Sequence, residues 1–273
     1  MPEGPEIRRA ADEIATVLVG KVIQRIEFGL PHLKHHEEIL CGSTVLEIET
    51  RGKALLTHFD NGHSIYSHNQ LYGRWYVVKR DKLPSTGRSL RLALHTKTHS
   101  ALLYSASEID VLDEEGINTH RFLTKLGPDI LNPNLTWREI AARLAEPRFK
   151  KRSLAALYLD QSFLAGVGNY LRSEILFAAG THPKKKPQEL ERKVINRLAR
   201  STLLICQRAY ETGGITNPPQ LAAKLKLSGL TRGQFRHGVF GRDNQACYGC
   251  GEVVLKEAIS ARRIYWCPLC QYE

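Results

Sequence analysis

Ile7, Ala10, Ala11, Ile14 and Leu18 recur at i, i+3, i+4, i+7 and i+11, the period of one buried helical face. Pro5 suits the first turn of such a helix and Gly20 the residue just past its end, which predicts a helix over 5–19. Over 21–112 the period changes. Short apolar runs stand at 54–59, 75–78, 90–94 and 101–104, and Leu90, Leu92 and Leu94 alternate with polar or small partners, as half-buried strands do. Asp60-Asn61-Gly62 between two such runs reads as a hairpin turn. Several short strands at this spacing predict a sandwich or barrel.

Gly127-Pro128-Asp129 and Asn132-Pro133-Asn134 then interrupt the pattern. The expected organisation is a β-sandwich domain over 1–124, a linker over 125–135, a helical domain over 136–236 and a four-cysteine segment over 237–273. Thr136-Trp137-Arg138-Glu139 is a capping box ahead of Ile140 and Leu144. Helices are expected over 153–160, 169–179 and 188–212, the last with Leu190, Val194, Leu198 and Ile205 on one face. The stretch 213–244 is rich in Gly, Pro, Lys and Arg and reads as part loop.

Composition narrows the class. Of 273 residues, 42% are hydrophobic and 25% charged, which excludes wholesale disorder. No apolar run approaches the roughly 18–20 residues that span a bilayer, and the start lacks a signal-peptide pattern. A cytoplasmic protein with no membrane partner is expected. Lys plus Arg is 39 against 28 for Asp plus Glu, a net charge of +11. That balance favours a polyanionic partner, nucleic acid above membrane, because no basic amphipathic anchor is present.

Cys41 and Cys206 are isolated and read as buried small hydrophobes, whereas Cys247, Cys250, Cys267 and Cys270 form C-x2-C-x16-C-x2-C. That spacing points to one Zn2+ ion in a closed tetrahedral site, hence a structural one. Runs at 253–256 and 264–266 between the pairs suit a hairpin whose tip carries Ala261, Arg262 and Arg263. The two cations there read either as a solvated basic loop or as a phosphate or active-site contact.

At the N-terminus, removal of Met1 would expose Pro2 as a secondary amine. An α-amino group with a pKa near 8 is partly neutral at pH 7, and its attack on an aldehyde gives a charged iminium, a strong electron sink. Glu3 is next to it and can carry protons. From spacing alone, the run is better read as a helix start with Glu3 and Glu6 complementing the macrodipole.

Several segments change that weighing. They are Met1-Pro2-Glu3-Gly4-Pro5-Glu6-Ile7, Thr50-Arg51-Gly52-Lys53-Ala54-Leu55-Leu56, Ser67-His68-Asn69-Gln70-Leu71-Tyr72-Gly73, Leu159-Asp160-Gln161, Ala165-Gly166-Val167-Gly168-Asn169-Tyr170-Leu171-Arg172 and the terminal cysteine segment. In this order they resemble the bacterial formamidopyrimidine-DNA glycosylase and endonuclease VIII family, the endonuclease VIII branch above all. The resemblance implies an α+β fold: an N-terminal β-sandwich with a flanking helix, a helix–two-turn–helix domain and a zinc-finger β-hairpin. It implies a bifunctional DNA glycosylase and AP lyase that removes oxidised pyrimidines from damaged double-stranded DNA and cuts the strand by β,δ-elimination. Such an enzyme would act as a monomer, without a small-molecule cofactor, on the bacterial nucleoid. The alternatives are a formamidopyrimidine-DNA glycosylase preferring 8-oxoguanine, and a noncatalytic zinc-stabilised DNA-binding protein.

Carried over by position, the resemblance makes Pro2 the Schiff-base nucleophile, Glu3 its acid/base partner, Lys53 a second proton donor and Arg262 the zinc-finger arginine of the catalytic site. Gln70, Leu71 and Tyr72 would fill the gap left by a flipped base. Lys125 and Asn169 would contact DNA, Asn169 from a helix N-terminus. Lys125 stands where the branch pattern has an arginine, and Arg263 where a proline usually follows the zinc-finger arginine.

Overall fold

The computed structural model describes residues 2–259 and 262–272. It divides into two compact units, one of Pro2 with Glu6–Lys125 and one of Glu3–Pro5 with the chain from Leu126 onward.

In the first unit, helix α1 (Gly4–Leu18) buries Ile7, Ala11, Ile14 and Leu18, the face its period predicts. Strand β1 (Arg25–Phe28) and helix α2 (His36–Leu40) follow, then β2 (Val45–Arg51), β3 (Ala54–Phe59), β4 (Ser64–His68), β5 (Arg74–Lys79), β6 (Leu90–His95), β7 (His99–Tyr104), β8 (Glu108–Leu112) and helix α3 (Glu114–Thr119). The strands form two four-stranded sheets, ordered β1-β6-β7-β5 and β2-β3-β4-β8, with antiparallel pairing throughout. Phe28, Leu92, Leu94 and Leu103 of one sheet and Leu55, Phe59, Ile65 and Ile109 of the other share a core with α1. This is the expected sandwich. One alternation breaks. A register shift between Leu90 and Leu92 turns Leu90 to the opposite face, with Tyr104. Cys41 is exposed, contrary to expectation, because Leu40 takes the buried position at the end of α2.

The second unit begins before its first helix. The Ala165 N–H donates to the Pro128 carbonyl at 2.9 Å, the Ile130 N–H donates to the Ala165 carbonyl at 3.1 Å, and Ile130 and Leu135 lie in the helical core. Within residues 125–135, expected as a linker, the chain is therefore tied to the helical unit at Pro128, Ile130 and Leu135. Helix α4 (Trp137–Ala145) opens with the predicted capping box: the Thr136 N–H donates to the Glu139 carboxylate at 2.7 Å and the Glu139 N–H to Thr136 Oγ1 at 3.3 Å. Helix α5 (Leu154–Leu157) is shorter than expected, because the Asp160 carboxylate accepts the Ser162 N–H at 2.8 Å and turns the chain. Helix α6 (Asn169–Ala178) stands as predicted. Helix α7 (Arg192–Glu211) starts late, because 187–189 form a 3-10 turn.

Helices α8 (Pro219–Leu227) and α9 (Arg232–Phe235) occupy the stretch expected as part loop. The basic run at 182–186 is docked: its Lys185 and Pro183 carbonyls accept the N–H groups of Leu154 and Ala155 at 2.8 and 2.9 Å. Strands β9 (Leu255–Ile259) and β10 (Arg262–Trp266) then pair antiparallel, and Ile264 is fully buried in the helical core. Among the described residues no helix is long and apolar enough to cross a membrane.

Candidate active site

An α-helix leaves its first N–H groups without intrahelical partners. At α6 the N-cap is Gly168, which has no side chain to satisfy them. The buried Glu3 carboxylate does so instead. One oxygen accepts the N–H of Gly168 at 2.8 Å and of Leu171 at 3.2 Å, and the other accepts that of Tyr170 at 2.8 Å. The helix dipole favours a carboxylate at this end. A Cβ on Gly168 would stand 2.3 Å from Glu3 Cδ, so only glycine leaves room. The Gly4 N–H donates to the Gly166 carbonyl at 2.8 Å. The turn that receives these residues is held by Gln161, whose amide donates to the Val167 carbonyl at 2.9 Å and accepts the Gly166 N–H at 3.1 Å. Pro2, half-buried, thus lies one residue ahead of a fixed carboxylate. Met1 lies outside the described residues.

Arg172, one turn along α6, is fully buried. It donates to the Ala155 carbonyl at 2.8 Å, to Asn169 Oδ1 at 2.5 Å and to the Arg263 carbonyl at 2.9 Å. Burial brings its guanidinium down to about 10, with Glu3 pulling it up and Arg262 pushing it further down. It stays charged at neutral pH. The bond from Arg172 commits the Asn169 side-chain oxygen. On β10 the two-residue period puts Arg262 on the face of buried Ile264 and Arg263 on the other. Both arginines are exposed, and Ala261 of the expected tip lies outside the described residues.

In the first unit, Gly52 and Lys53 form the two-residue turn joining β2 to β3, with Arg51 paired to Ala54 and Gly52 at φ 65°. Lys53 is half-buried. Burial holds the neighbouring His68 imidazole below its usual range, with Glu108 raising it and Lys53 lowering it further. After His68 the chain makes a tight turn in which the Gly73 N–H donates to the Asn69 carbonyl at 2.7 Å. A Cβ at Gly73 would come within 2.6 Å of the Asn69 backbone. The turn presents Leu71 and Tyr72, 53% and 70% exposed, as an open loop rather than core. Gln70, at φ 48°, accepts the Ser107 hydroxyl at 2.9 Å on its side-chain oxygen. Lys125 is exposed at the end of a 3-10 turn over Leu123–Lys125.

The four cysteines of the terminal segment converge, with all Sγ atoms within 4.8 Å of one another. Cys247 and Cys270 are 3.9 Å apart and Cys250 and Cys267 3.4 Å. A tetrahedral ion with metal–sulfur bonds of about 2.3 Å needs sulfurs about 3.8 Å apart. The set therefore fits a thiolate-bound metal ion.

Sequence reading missed a second buried carboxylate, Glu174. It accepts the N–H groups of Gly238, Val239 and Phe240 at 2.8, 2.9 and 2.8 Å and the Thr216 hydroxyl at 2.6 Å. The available signal was two charges, Arg172 and Glu174, among Leu171, Ile175 and Leu176 in one helical run.

Residues 1–107 match the formamidopyrimidine-DNA glycosylase N-terminal domain and residues 126–220 the formamidopyrimidine-DNA glycosylase H2TH domain. Endonuclease 8 of Salmonella arizonae is 47% identical over 271 residues, 99% of this chain and 100% of that protein. The chain belongs to the formamidopyrimidine-DNA glycosylase and endonuclease VIII family. Endonuclease 8 of Salmonella enteritidis is 46% identical over the same shares. Among solved structures, the formamidopyrimidine-DNA glycosylase of Lactococcus lactis bound noncovalently to AP-site DNA has a TM-score of 0.80 at 22% identity, covering 99% of this chain and 100% of that one. Its complex with N7-benzyl-Fapy-dG DNA has a TM-score of 0.81 at the same identity, covering 100% of both chains. At that identity the likeness bears on the fold alone. The glycosylase-family H2TH match encloses the 165–168 turn and the helix on which Glu3 rests.

Proposed function

We propose that this chain is a bifunctional DNA glycosylase and AP lyase of base excision repair that removes oxidised pyrimidines through a Schiff base on Pro2. The observation that carries the reading is the Glu3 carboxylate, fixed by three N–H groups one residue from the N-terminal amine. Once Met1 is gone, the neutral Pro2 nitrogen attacks C1′ of the sugar. The bond from C1′ to the base breaks, and the departing base takes a proton from the Lys53 ammonium, which regains one from water. The amine's proton passes to Glu3, which returns it to the opening sugar ring. The resulting iminium acidifies the C2′ hydrogen, and its loss expels the 3′ phosphate. A second elimination expels the 5′ phosphate, and water frees the enzyme, leaving phosphates on both sides of a one-nucleotide gap.

Lys53 serves as a second proton donor. Arg262 and Asn169 receive the phosphates flanking the lesion, and Lys125 adds a backbone contact. Gln70 hydrogen-bonds the orphaned base while Leu71 and Tyr72 wedge and stack in the gap. The four cysteines hold one zinc ion, which when bound fixes the β9–β10 hairpin bearing Arg262. The enzyme works as a monomer on damaged duplex DNA in the bacterial cytoplasm, without a small-molecule cofactor.

The preference for oxidised pyrimidines is supported by the Gly4 form of the N-terminus and the Gln70-Leu71-Tyr72 loop, with relatives named Endonuclease 8 at 46–47% identity. Single-turnover excision on duplexes carrying thymine glycol or 8-oxoguanine opposite cytosine tests it. Thymine glycol is expected to be released faster. Faster release of 8-oxoguanine would move the preference to oxidised purines.

A further inference from the structure

We propose that a groove between α4 and α7, apart from the proposed catalytic residues, docks an acidic peptide segment carrying one large apolar side chain. The groove holds about 450 Å³. Its floor is made by short or apolar side chains, Ala141, Ala142 and Ala145 of α4 and Ile195 of α7. The alanines recur at i, i+1 and i+4, so beyond Arg138 that face of α4 carries only methyl groups. Trp137 closes one end, and two guanidinium groups lie over its ring, Arg138 at 4.8 Å and Arg200 at 4.3 Å. Arg192 stands at the other end.

The rim is cationic and uncompensated. Among the described residues, Arg138, Arg192 and Arg200 have no carboxylate partner. Two other arginines of the same unit do have one: Arg148 pairs with Glu146 at 2.8 Å, and Arg152 pairs with Asp160. The acids nearest the groove in sequence are engaged elsewhere. Glu139 accepts the Thr136 N–H at 2.7 Å, Glu146 meets Arg148, and Glu191 meets Lys193 at 3.0 Å. Helix α7 opens on Arg192 and Lys193 behind its N-cap Glu191, which makes no capping bond and pairs with Lys193.

The shape decides between classes of partner. A DNA backbone would use the guanidiniums but would leave the alanine floor empty, and the indole face is already stacked. A peptide uses both. One aromatic or aliphatic side chain fills the hollow beside Trp137, and carboxylates on either side reach Arg138 and Arg200 at one end and Arg192 at the other.

The test uses the full-length, metal-loaded protein and a short fluorescein-labelled peptide of aspartates and glutamates around one central phenylalanine. Fluorescence anisotropy should show saturable binding, weakened about tenfold when the phenylalanine is replaced by alanine. The Arg138→Glu/Arg192→Glu double variant, and separately Ala142→Phe at an exposed floor position, should each weaken binding by about tenfold. Borohydride trapping on an abasic duplex should be unchanged in both. The proposal fails if the peptide does not bind, or binds the variants as well as the parent. It fails also if the charge reversals weaken duplex binding in parallel, which would make the rim a DNA contact. Self-association of the parent protein that both variants abolish would assign the face to a second copy, and would equally overturn it.

Discussion

Glu3 and Gly168 are 165 positions apart, yet each requires the other. The carboxylate closes the start of α6, and the absent side chain at 168 gives it space. Gly168→Ala must push the carboxylate off at least one of its N–H partners. A displacement of about 1 Å in a reacting group costs up to about 100-fold in rate. Trapping on an abasic duplex should slow by that order while duplex affinity stays near that of the parent; an unchanged trapping rate would show that the carboxylate's position is immaterial. His237 sets a different dependence. Its Nδ1 lies 3.0 Å from Thr216 Oγ1, whose proton goes to Glu174, so the ring nitrogen donates. Burial lowers its pKa to about 4, although Glu174 pulls it up. The unfolded imidazole titrates near 6.5. Between these values the unfolded chain holds more protons, so stability present above pH 6.5 is lost as pH falls toward 4. Urea midpoints should drop over that interval, and less steeply in His237→Gln; equal slopes would contradict the assignment. At this scale the sequence showed Pro2 and the acid beside it, because they are adjacent. It did not show what Glu3 rests on, since a contact across 165 positions leaves no local pattern.

Elements were legible where their signals are local. The five apolar residues at helical spacing in α1 and the Thr136–Glu139 capping box gave helices close to those observed. The start of α7 was misplaced because apolar Leu190 extends the period backward, while Pro187 holds the chain in a 3-10 turn. The hairpin was expected to begin at 253. It begins at Leu255 because Val254 is fully buried in the cysteine segment, its N–H donating to the Gln245 carbonyl at 2.9 Å. The finger is also tied to its unit through Gln271, which accepts the Cys267 N–H at 2.8 Å and donates to the Thr181 carbonyl at 3.1 Å. Cys267→Ser should release the metal and loosen β10 with Arg262, lowering duplex affinity several-fold while the sandwich unit keeps its fold. Metal analysis beside a binding isotherm checks this; full affinity without metal would remove the scaffold role from the finger.

For the molecule as a whole, two cores follow from two periods in the chain, strand-like to about 112 and helical after 136. The boundary region between them was the harder part: Gly and Pro at 127–133 resemble a linker, yet the backbone of 128–130 pairs with Ala165. The family was legible because its motifs are spread from residue 1 to residue 270 in order. The stretch 181–236 carried no such motif, and its docking on α5 depends on backbone carbonyls that any residue supplies. The central claim is that the N-terminal proline is the nucleophile. Borohydride trapping on a thymine-glycol duplex, followed by intact mass and peptide mapping of the adduct, tests it most directly. A covalent adduct is expected on an N-terminal peptide that begins at Pro2. No adduct on this duplex or on an abasic control, or an adduct on a lysine instead, would contradict it.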